Sequence, residues 1–457
     1  MVLPPLPDLT TLSHDQKDAL IVALWEQVAS LMARVADLEA KLNEPPKTPD
    51  NSSIPPSKGP KANRAGKSKG DGPRQGSLGR KGGGRLLARE PDEVVSAKAA
   101  ACRHCGTALG DGDHRLQGRY DKIDLPPVRP VVTRVERYAG HCSCCGGTTL
   151  AAVPEGMDEG SPFGPGIVAA ALYLRFTQAI SYRRLCRLFE HLFGLMISEG
   201  ALDAMFRRAK PAFDDAVTVI LARLRRSRIV CSDETSVRVD GVTCWNWVFQ
   251  NEQVVIHVVR HSRGAAVVDE VMGGHRPMIW VSDLYGAQQG HADQWQVCLA
   301  HQLRDCQFAI DVGDTIFAPR MKALLLRAVI LARRRKTLAA STRHQYRRRL
   351  DRDLDTIMAL VPRNRHGQRL KKRYGKVRND LFTFLAHPDV PPDNNSSERE
   401  LRPTATYRKV TGGSRSDWGA DLFANIRSVV GTAARNGIDA YAAILNTLRG
   451  KPDIAPG

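Results

Sequence analysis

The sequence predicts a multidomain α+β protein, and three observations predict it. The chain has 457 residues, more than one ordinary hydrophobic core serves, so several folded units are expected. Its apolar residues recur at helical spacing up to residue 226, as in Ile167, Ala170, Ala171 and Leu174, and switch to alternation after Arg228. A strongly basic helical pattern then returns over 314–386. The expected order is a coiled-coil helix at 12–43, a disordered basic linker at 44–95 and a cysteine module at 96–155. A helical region at 160–226 follows, then a strand-rich core at 227–312, a helical stretch at 313–390, and the rest of the core with C-terminal helices at 391–457.

Composition narrows the functional classes. A hydrophobic content of 42% permits real cores, while a net charge of +19 and a pI near 9.7 direct attention to a polyanionic partner, DNA or RNA. No run of about 18 apolar residues is present, so no membrane span is expected. The N-terminal residues lack the basic and apolar segments of a secretory signal, and ten cysteines in such a chain read as reduced thiols or metal sites. The expected location is the cytoplasm, beside the nucleoid.

The first element is a short heptad repeat. Ile21, Val28, Val35 and Leu42 fall at one heptad position and Leu24, Leu31 and Leu38 at the other, a seam that can join two helices into a homodimer or higher oligomer. The linker that follows is dominated by Pro, Gly, Ser and cations such as Lys58, Lys61, Arg64, Lys67, Lys69, Arg74, Arg80 and Lys81, too polar to offset its ordering entropy.

Cys102 and Cys105 form one C-x-x-C followed by Gly106, and Cys142 and Cys145 a second followed by Gly146. Two such pairs fit a four-thiolate zinc ribbon, with Val131, Val132 and Val135 as ribbon strands. Cys144, His104 and His141 are alternative ligands. A closed site of this kind is structural, because it leaves no position for water.

Ser181–Leu185 opens a helix ending near Phe193-Gly194, and Ser198–Leu202 opens another carrying Arg207, Arg208 and Lys210. Helix, glycine turn and capped helix form a helix-turn-helix pattern, and these cations with Arg225 and Arg226 are candidate DNA contacts.

The stretch 228–239 carries the chemistry. Ile229, Cys231, Asp233, Thr235, Val237 and Val239 share one strand face, and Glu234 points to the other. A carboxylate on an apolar face is costly unless a partner or a metal neutralises it. A strand around Trp245–Phe249, a third at 254–259 beyond a turn at Asn251-Glu252, a helix at 265–272 and a buried strand 278–282 ending in Asp283 follow. Three antiparallel strands, a helix and a fourth strand is the order of an RNase H-like sheet, in which the first and fourth strands are neighbours. Asp233 and Asp283 can then share an ion. A third carboxylate is expected on a late helix, where Ser397 with Glu400 fits a capping box and puts Glu398 in the first turn. An exposed helix ion pair is the plainer reading of Glu398 alone.

Together these residues resemble the transposases of the insertion-sequence-66 family over nearly the whole chain. The resemblance is carried by Asn51-Ser52-Ser53 with Pro55-Pro56-Ser57, the two cysteine knuckles around Ile123–Pro127, Ser232–Thr235, Asp283–Gly286 and Cys298–His301. It continues through Asp393-Asn394-Asn395, Glu398-Arg399, Leu401-Arg402-Pro403, Arg408-Lys409 and Gly412-Gly413-Ser414. By that resemblance Asp233, Asp283 and Glu398 are a DDE triad holding two Mg²⁺ or Mn²⁺ ions, and the basic helices at 314–386 are an all-helical insertion before the third acid. Arg402, Arg408 and Lys409 are candidate phosphate-stabilising residues. Cys298 and His301 have ligand spacing, but at this place they are expected to pack the insertion against the core. The expected activity is DNA cleavage and strand transfer at terminal inverted repeats, into target DNA, with accessory proteins of the same element as further partners. Two other readings remain: a zinc-bearing DNA-binding regulator without catalysis, and an RNase H-like nuclease that only hydrolyses.

Overall fold

A computed structural model of the chain describes residues 10–42, 44–48, 51–52, 86–154, 156–157 and 159–452. Most of the expected basic linker, with Lys58 through Lys81 and the Pro55-Pro56-Ser57 motif, lies outside the described residues. In chain order the elements are α1 (His14–Leu42), β1 (Ala139–His141), β2 (Thr148–Leu150), α2 (Pro165–Leu172), α3 (Tyr182–Phe193) and α4 (Glu199–Leu224). The sheet region holds β3 (Ile229–Val239), β4 (Val242–Gln250), β5 (Val255–Arg260), α5 (Ala266–Met272), β6 (Ile279–Ser282) and β7 (Gln294–Val297). The remaining helices are α6 (Leu299–Asp311), α7 (Ala318–Arg334), α8 (Ala340–Ala359), α9 (Arg365–Val377), α10 (Thr383–Ala386), α11 (Asn395–Thr411), α12 (Asp417–Arg435) and α13 (Ala440–Leu448).

The described residues divide into two compact units, one drawn from segments 1–61, 154–181 and 202–457, the other from 62–153 and 182–201. The smaller unit contains the cysteine module and α3. Its only strands among the described residues are the antiparallel pair β1 and β2. Val131, Val132 and Val135 are not strand residues, contrary to expectation, and Val131 and Val132 are more than nine-tenths exposed. Pro126, Pro127 and Pro130 crowd that stretch and cannot donate to a ladder, which keeps it out of a sheet.

In the larger unit, α1 spans the whole heptad repeat, and Ile21, Leu24, Val28, Leu31, Val35 and Leu38 are all exposed along it. The sheet has the order β5-β4-β3-β6-β7; β4 runs antiparallel to both β3 and β5, while β3, β6 and β7 run parallel. Asp240 and Gly241 both take positive φ, the conformation a two-residue hairpin between β3 and β4 requires. The first and fourth strands of the region are therefore neighbours. β7 has no counterpart in the sequence reading: four residues with a polar Gln at every second position carry too short a pattern.

Three apolar clusters hold helices to the sheet. Val248, Val255 and Leu401 join it to α11, and Val237, Val239, Cys244 and Val259 meet Ala420 and Ala424 of α12. The largest cluster runs from Ile279, Val281 and Val297 through Leu299 and Cys306 into Phe317, Leu325, Leu354, Tyr374 and Phe382. At roughly 1.5–3 kcal/mol per fully buried large side chain, this cluster makes the helices over 313–390 part of the sheet's own core.

Candidate active site

Asp233 pairs across the sheet with Val248, and Val248 packs against Leu401 of α11. Residues opposite one another in an antiparallel pair share a face, so Asp233 looks toward α11 while Glu234, opposite Trp247, looks away. Cys231 of β3 is level with Val281 of β6 in the parallel pair. Asp233 and Asp283 each lie two residues beyond that level, on the same side and at the same end.

The third acid is brought in by α11. The helix begins at Asn395, two residues ahead of the expected capping box, with Asn394 at the cap. Ser397 does not cap: its hydroxyl donates to Asn394 Oδ1 at 2.7 Å and accepts from Gln250 at 2.8 Å. Glu400 does not reach back either, because Arg435 Nη1 at 2.9 Å and Arg427 at 3.7 Å hold it against the sheet. Glu398 remains in the first turn. Asn394 is fully buried and does the anchoring, its side-chain amide donating to Ser232 O at 2.7 Å and its backbone N–H to Cys298 Sγ at 3.1 Å. At the far end, Ser414 N donates to Arg238 O and Asp240 N to Ser414 O, both at 2.9 Å. Gly413 lies between with φ +101°, and any Cβ there would meet the carbonyl oxygen of Arg238. α11 is thus stitched to β3 at both ends.

The electrostatics single out Asp233. Burial pushes its carboxyl well above the usual aspartate range, and Glu234, Asp283 and Glu398 push further in the same direction. The Glu234 N–H, 2.9 Å from Oδ1, offsets only part of this. Asp283 Oδ1 accepts from Tyr285 N at 2.9 Å. Glu398 Oε1 lies 3.2 Å from Arg304 and 3.8 Å from His301 Nε2, both on α6. His301 Nδ1 is 3.3 Å from Cys298 Sγ. Burial and Arg304 lower the His301 pKa, while Asp283 and Glu398 act to raise it. Cys298, fully buried, and His301 join the start of α6 to the helix of the third acid. Their link to Arg304 escaped the sequence reading, although Cys298, His301 and Arg304 recur every third residue and so share a helix face.

Glu234 is buried on the opposite face but well partnered. Arg263 donates to its Oε1 at 3.0 and 2.7 Å, and Gln288 to its Oε2 at 2.8 Å. Burial still leaves its carboxyl above the ordinary value, with Gln288 and Arg263 working against that shift. Arg263 also stacks over Trp245 and Tyr285 and accepts the Tyr285 hydroxyl on its carbonyl, so Glu234 supports the loop after Asp283.

The expected cations divide by environment. Arg408 is bound to Ser236 of β3, through its carbonyl and, at 2.8 Å, its hydroxyl, whereas Arg402 and Lys409 are exposed on α11. Arg225 donates to Val271 O and Glu270 O, and Lys210 is paired with Asp214 at 2.8 Å. Arg207 pairs with Asp203 and lies over Trp418, Arg208 reaches Ser161, and Arg226 is exposed. α3 belongs to the smaller unit and all of α4 after its first turn to the larger.

In the smaller unit the two knuckles repeat one backbone pattern. Gly106 N donates to Cys102 O and Gly146 N to Cys142 O, both at 2.9 Å; Cys102 N and Cys142 N each donate at 2.8 Å to the residue five positions on. Both glycines take positive φ. Cys105 is lowered by Thr107 and Cys102, and Cys142 by the backbone and thiol of Cys145. Among the described residues no three Cys, His, Asp or Glu side chains converge closely enough to hold one metal ion. The knuckles therefore stand as separate pairs, and the three acids face one another without closing.

Two comparisons bear on this geometry. Residues 160–422, which contain all three acids, match the family described as "Transposase IS66 family". The chain is also 22% identical over 435 residues to y4jD, an uncharacterized protein of Sinorhizobium fredii, covering 83% of this chain and 81% of that protein. The family match spans more than half of the chain, from ahead of α2 into α12, and on it the chain belongs to the IS66 family of transposases.

Proposed function

We propose that this transposase cleaves DNA at the ends of its element and joins the freed ends to target DNA, with Asp233, Asp283 and Glu398 as the metal-binding acids. The observation that carries the reading is Asp233: a half-buried carboxylate on the sheet face that meets α11, with no ion pair among the described residues and two further acids beside it. The strand order, with β3 between β4 and β6, supports an RNase H-like core. The donor set fits hard divalent cations, because oxygen ligands bearing excess negative charge are what Mg²⁺ and Mn²⁺ select. Two such ions, when bound, would supply an activated nucleophile and stabilise the leaving oxygen. Asn394 and the Gly413-Ser414 clip hold the helix of the third acid against β3, and Glu234 with Arg263 holds the loop of the second. Arg402 and Lys409, exposed on α11, are the candidate phosphate contacts, while Arg408 serves β3. Cys102, Cys105, Cys142 and Cys145 are the proposed ligands of one structural Zn²⁺, and the exposed seam of α1 is proposed to pair with a second copy.

The test is strand cleavage of a labelled element end in Mg²⁺. Asp233→Asn should retain binding to the terminal repeat and lose cleavage by at least about 10³-fold. Normal cleavage by that variant would end the assignment. Joining of the cut 3′ end to a second duplex distinguishes a transposase from a nuclease that only hydrolyses.

A further inference from the structure

On the same reading of the three acids, a further role can be assigned to α6. We infer that Arg304 is a positioning residue that holds Glu398 away from the metal pocket until a DNA phosphate takes its place, so that cation loading depends on the substrate.

The argument is geometric. Cys298, His301 and Arg304 share one face of α6, and that face meets the first turn of α11. Cys298 Sγ takes the Asn394 N–H, which fixes the start of α6 to the start of α11. Arg304 and His301 then converge on the same oxygen of Glu398. A carboxylate oxygen engaged by a guanidinium at 3.2 Å is in competition with any cation for that charge. The pair is open to exchange, since Arg304 and Glu398 side chains are 27% and 29% exposed. Arg304 Nε is buried without a hydrogen-bond partner, so the guanidinium spends less than its full donor set on Glu398. A phosphate oxygen pair would use two parallel N–H groups, a better match to a planar fork than one carboxylate oxygen. Arrival of the phosphate would release Glu398 to the two aspartates, and by linkage cation and DNA would strengthen each other's binding.

The experiment titrates Mn²⁺ alone into the full-length protein and follows free Mn²⁺ by electron paramagnetic resonance. Arg304→Gln is expected to bind Mn²⁺ about tenfold more tightly than the parent protein, a change of about 1.4 kcal/mol. Arg304→Lys, which keeps the charge without the fork, should be intermediate, and it stands in if the glutamine variant fails to fold. A residue that merely supports the fold would weaken Mn²⁺ binding when replaced. Unchanged or weaker affinity in both variants, with Asp233→Asn still abolishing binding, overturns the role of Arg304 and leaves the triad standing. No Asp233-dependent Mn²⁺ binding in any protein overturns both.

Discussion

Asp233 and Glu400 are two half-buried acids at the interface of α11 with the sheet, and the fold treats them oppositely. Burial pushes both upward, but Glu400 is held down to about 2 by His257, Arg435 and Arg427. The fully buried His257 lies 3.8 Å from it and is itself lowered by burial, so Arg435 and Arg427 carry the compensating charge. Asp233 has three acids around it and is pushed the other way. Glu234, one residue along β3, stands between: it has Arg263 and Gln288 and is raised less. Glu400, which fastens elements together, is supplied with cations, whereas Asp233 has no ion pair among the described residues; Glu398, with Arg304 at 3.2 Å, does not follow that division. That contrast separates Glu400 from Asp233 more sharply than burial does.

The contrast breaks first, and most visibly, at Glu400. Glu400→Gln leaves Arg427 buried without its charge partner and should cost about 3–5 kcal/mol in urea unfolding at neutral pH. A native carboxyl depressed below its unfolded value stabilises the fold above the unfolded pKa and loses that contribution as pH falls through the native one. The difference between parent and variant should therefore shrink between the ordinary glutamate value and about pH 2. A loss under about 1 kcal/mol at pH 7 would mean that the Glu400 cluster is not structural in this sense.

Glu234→Gln is expected to cost less, about 1–3 kcal/mol, because one of its atoms turns from acceptor to donor against Arg263 or Gln288. Cleavage should fall only modestly, through the loop after Asp283. Abolished cleavage with an unchanged melting temperature would instead place Glu234 among the metal-binding acids.

The smallest effect has the opposite sign. Asp233→Asn should raise the melting temperature in a chelator, since it removes a half-buried charge crowded by other acids. A carboxyl raised in the native state costs stability as pH climbs from its unfolded value to its native one. The advantage of the variant should thus be absent in acid, grow above the ordinary aspartate value, and then level off. Added Mn²⁺ should stabilise the parent protein and leave the variant unmoved. A destabilised variant at pH 8 would show that Asp233 has a partner it was not credited with.

Much of this was legible in the sequence because strands write their faces into alternate residues. The side of Asp233, the place of Asp283 at a strand end and the adjacency of the first and fourth strands all follow from alternation and connection order. Glu398 was put in a first helical turn by reading Ser397 and Glu400 as a capping box; the structure keeps the place and not the capping. Ser397 and Glu400 match a capping box in type and spacing, but tertiary partners outcompete the helix end for both: Gln250 of β4 for Ser397, and Arg427 and Arg435 of α12 for Glu400. Arg304 and His301 were invisible as site residues because their partner lies almost a hundred positions away. Val131 and Val132 misled, since β-branched residues beside prolines carry strand preference without a ladder to join.

The double stitching of α11 to β3 has a consequence for how such chains diversify. Asn394 meets β3 at Ser232 and the Gly413-Ser414 step meets it at Arg238 and Asp240, so both ends of the helix take their bearings from the first strand. The turns between the helices over residues 312–390 can lengthen or shorten, provided the apolar cluster those helices share with the sheet is kept. Position 413 is the exception to that freedom: even alanine is refused there, by a main-chain atom that no change elsewhere can remove.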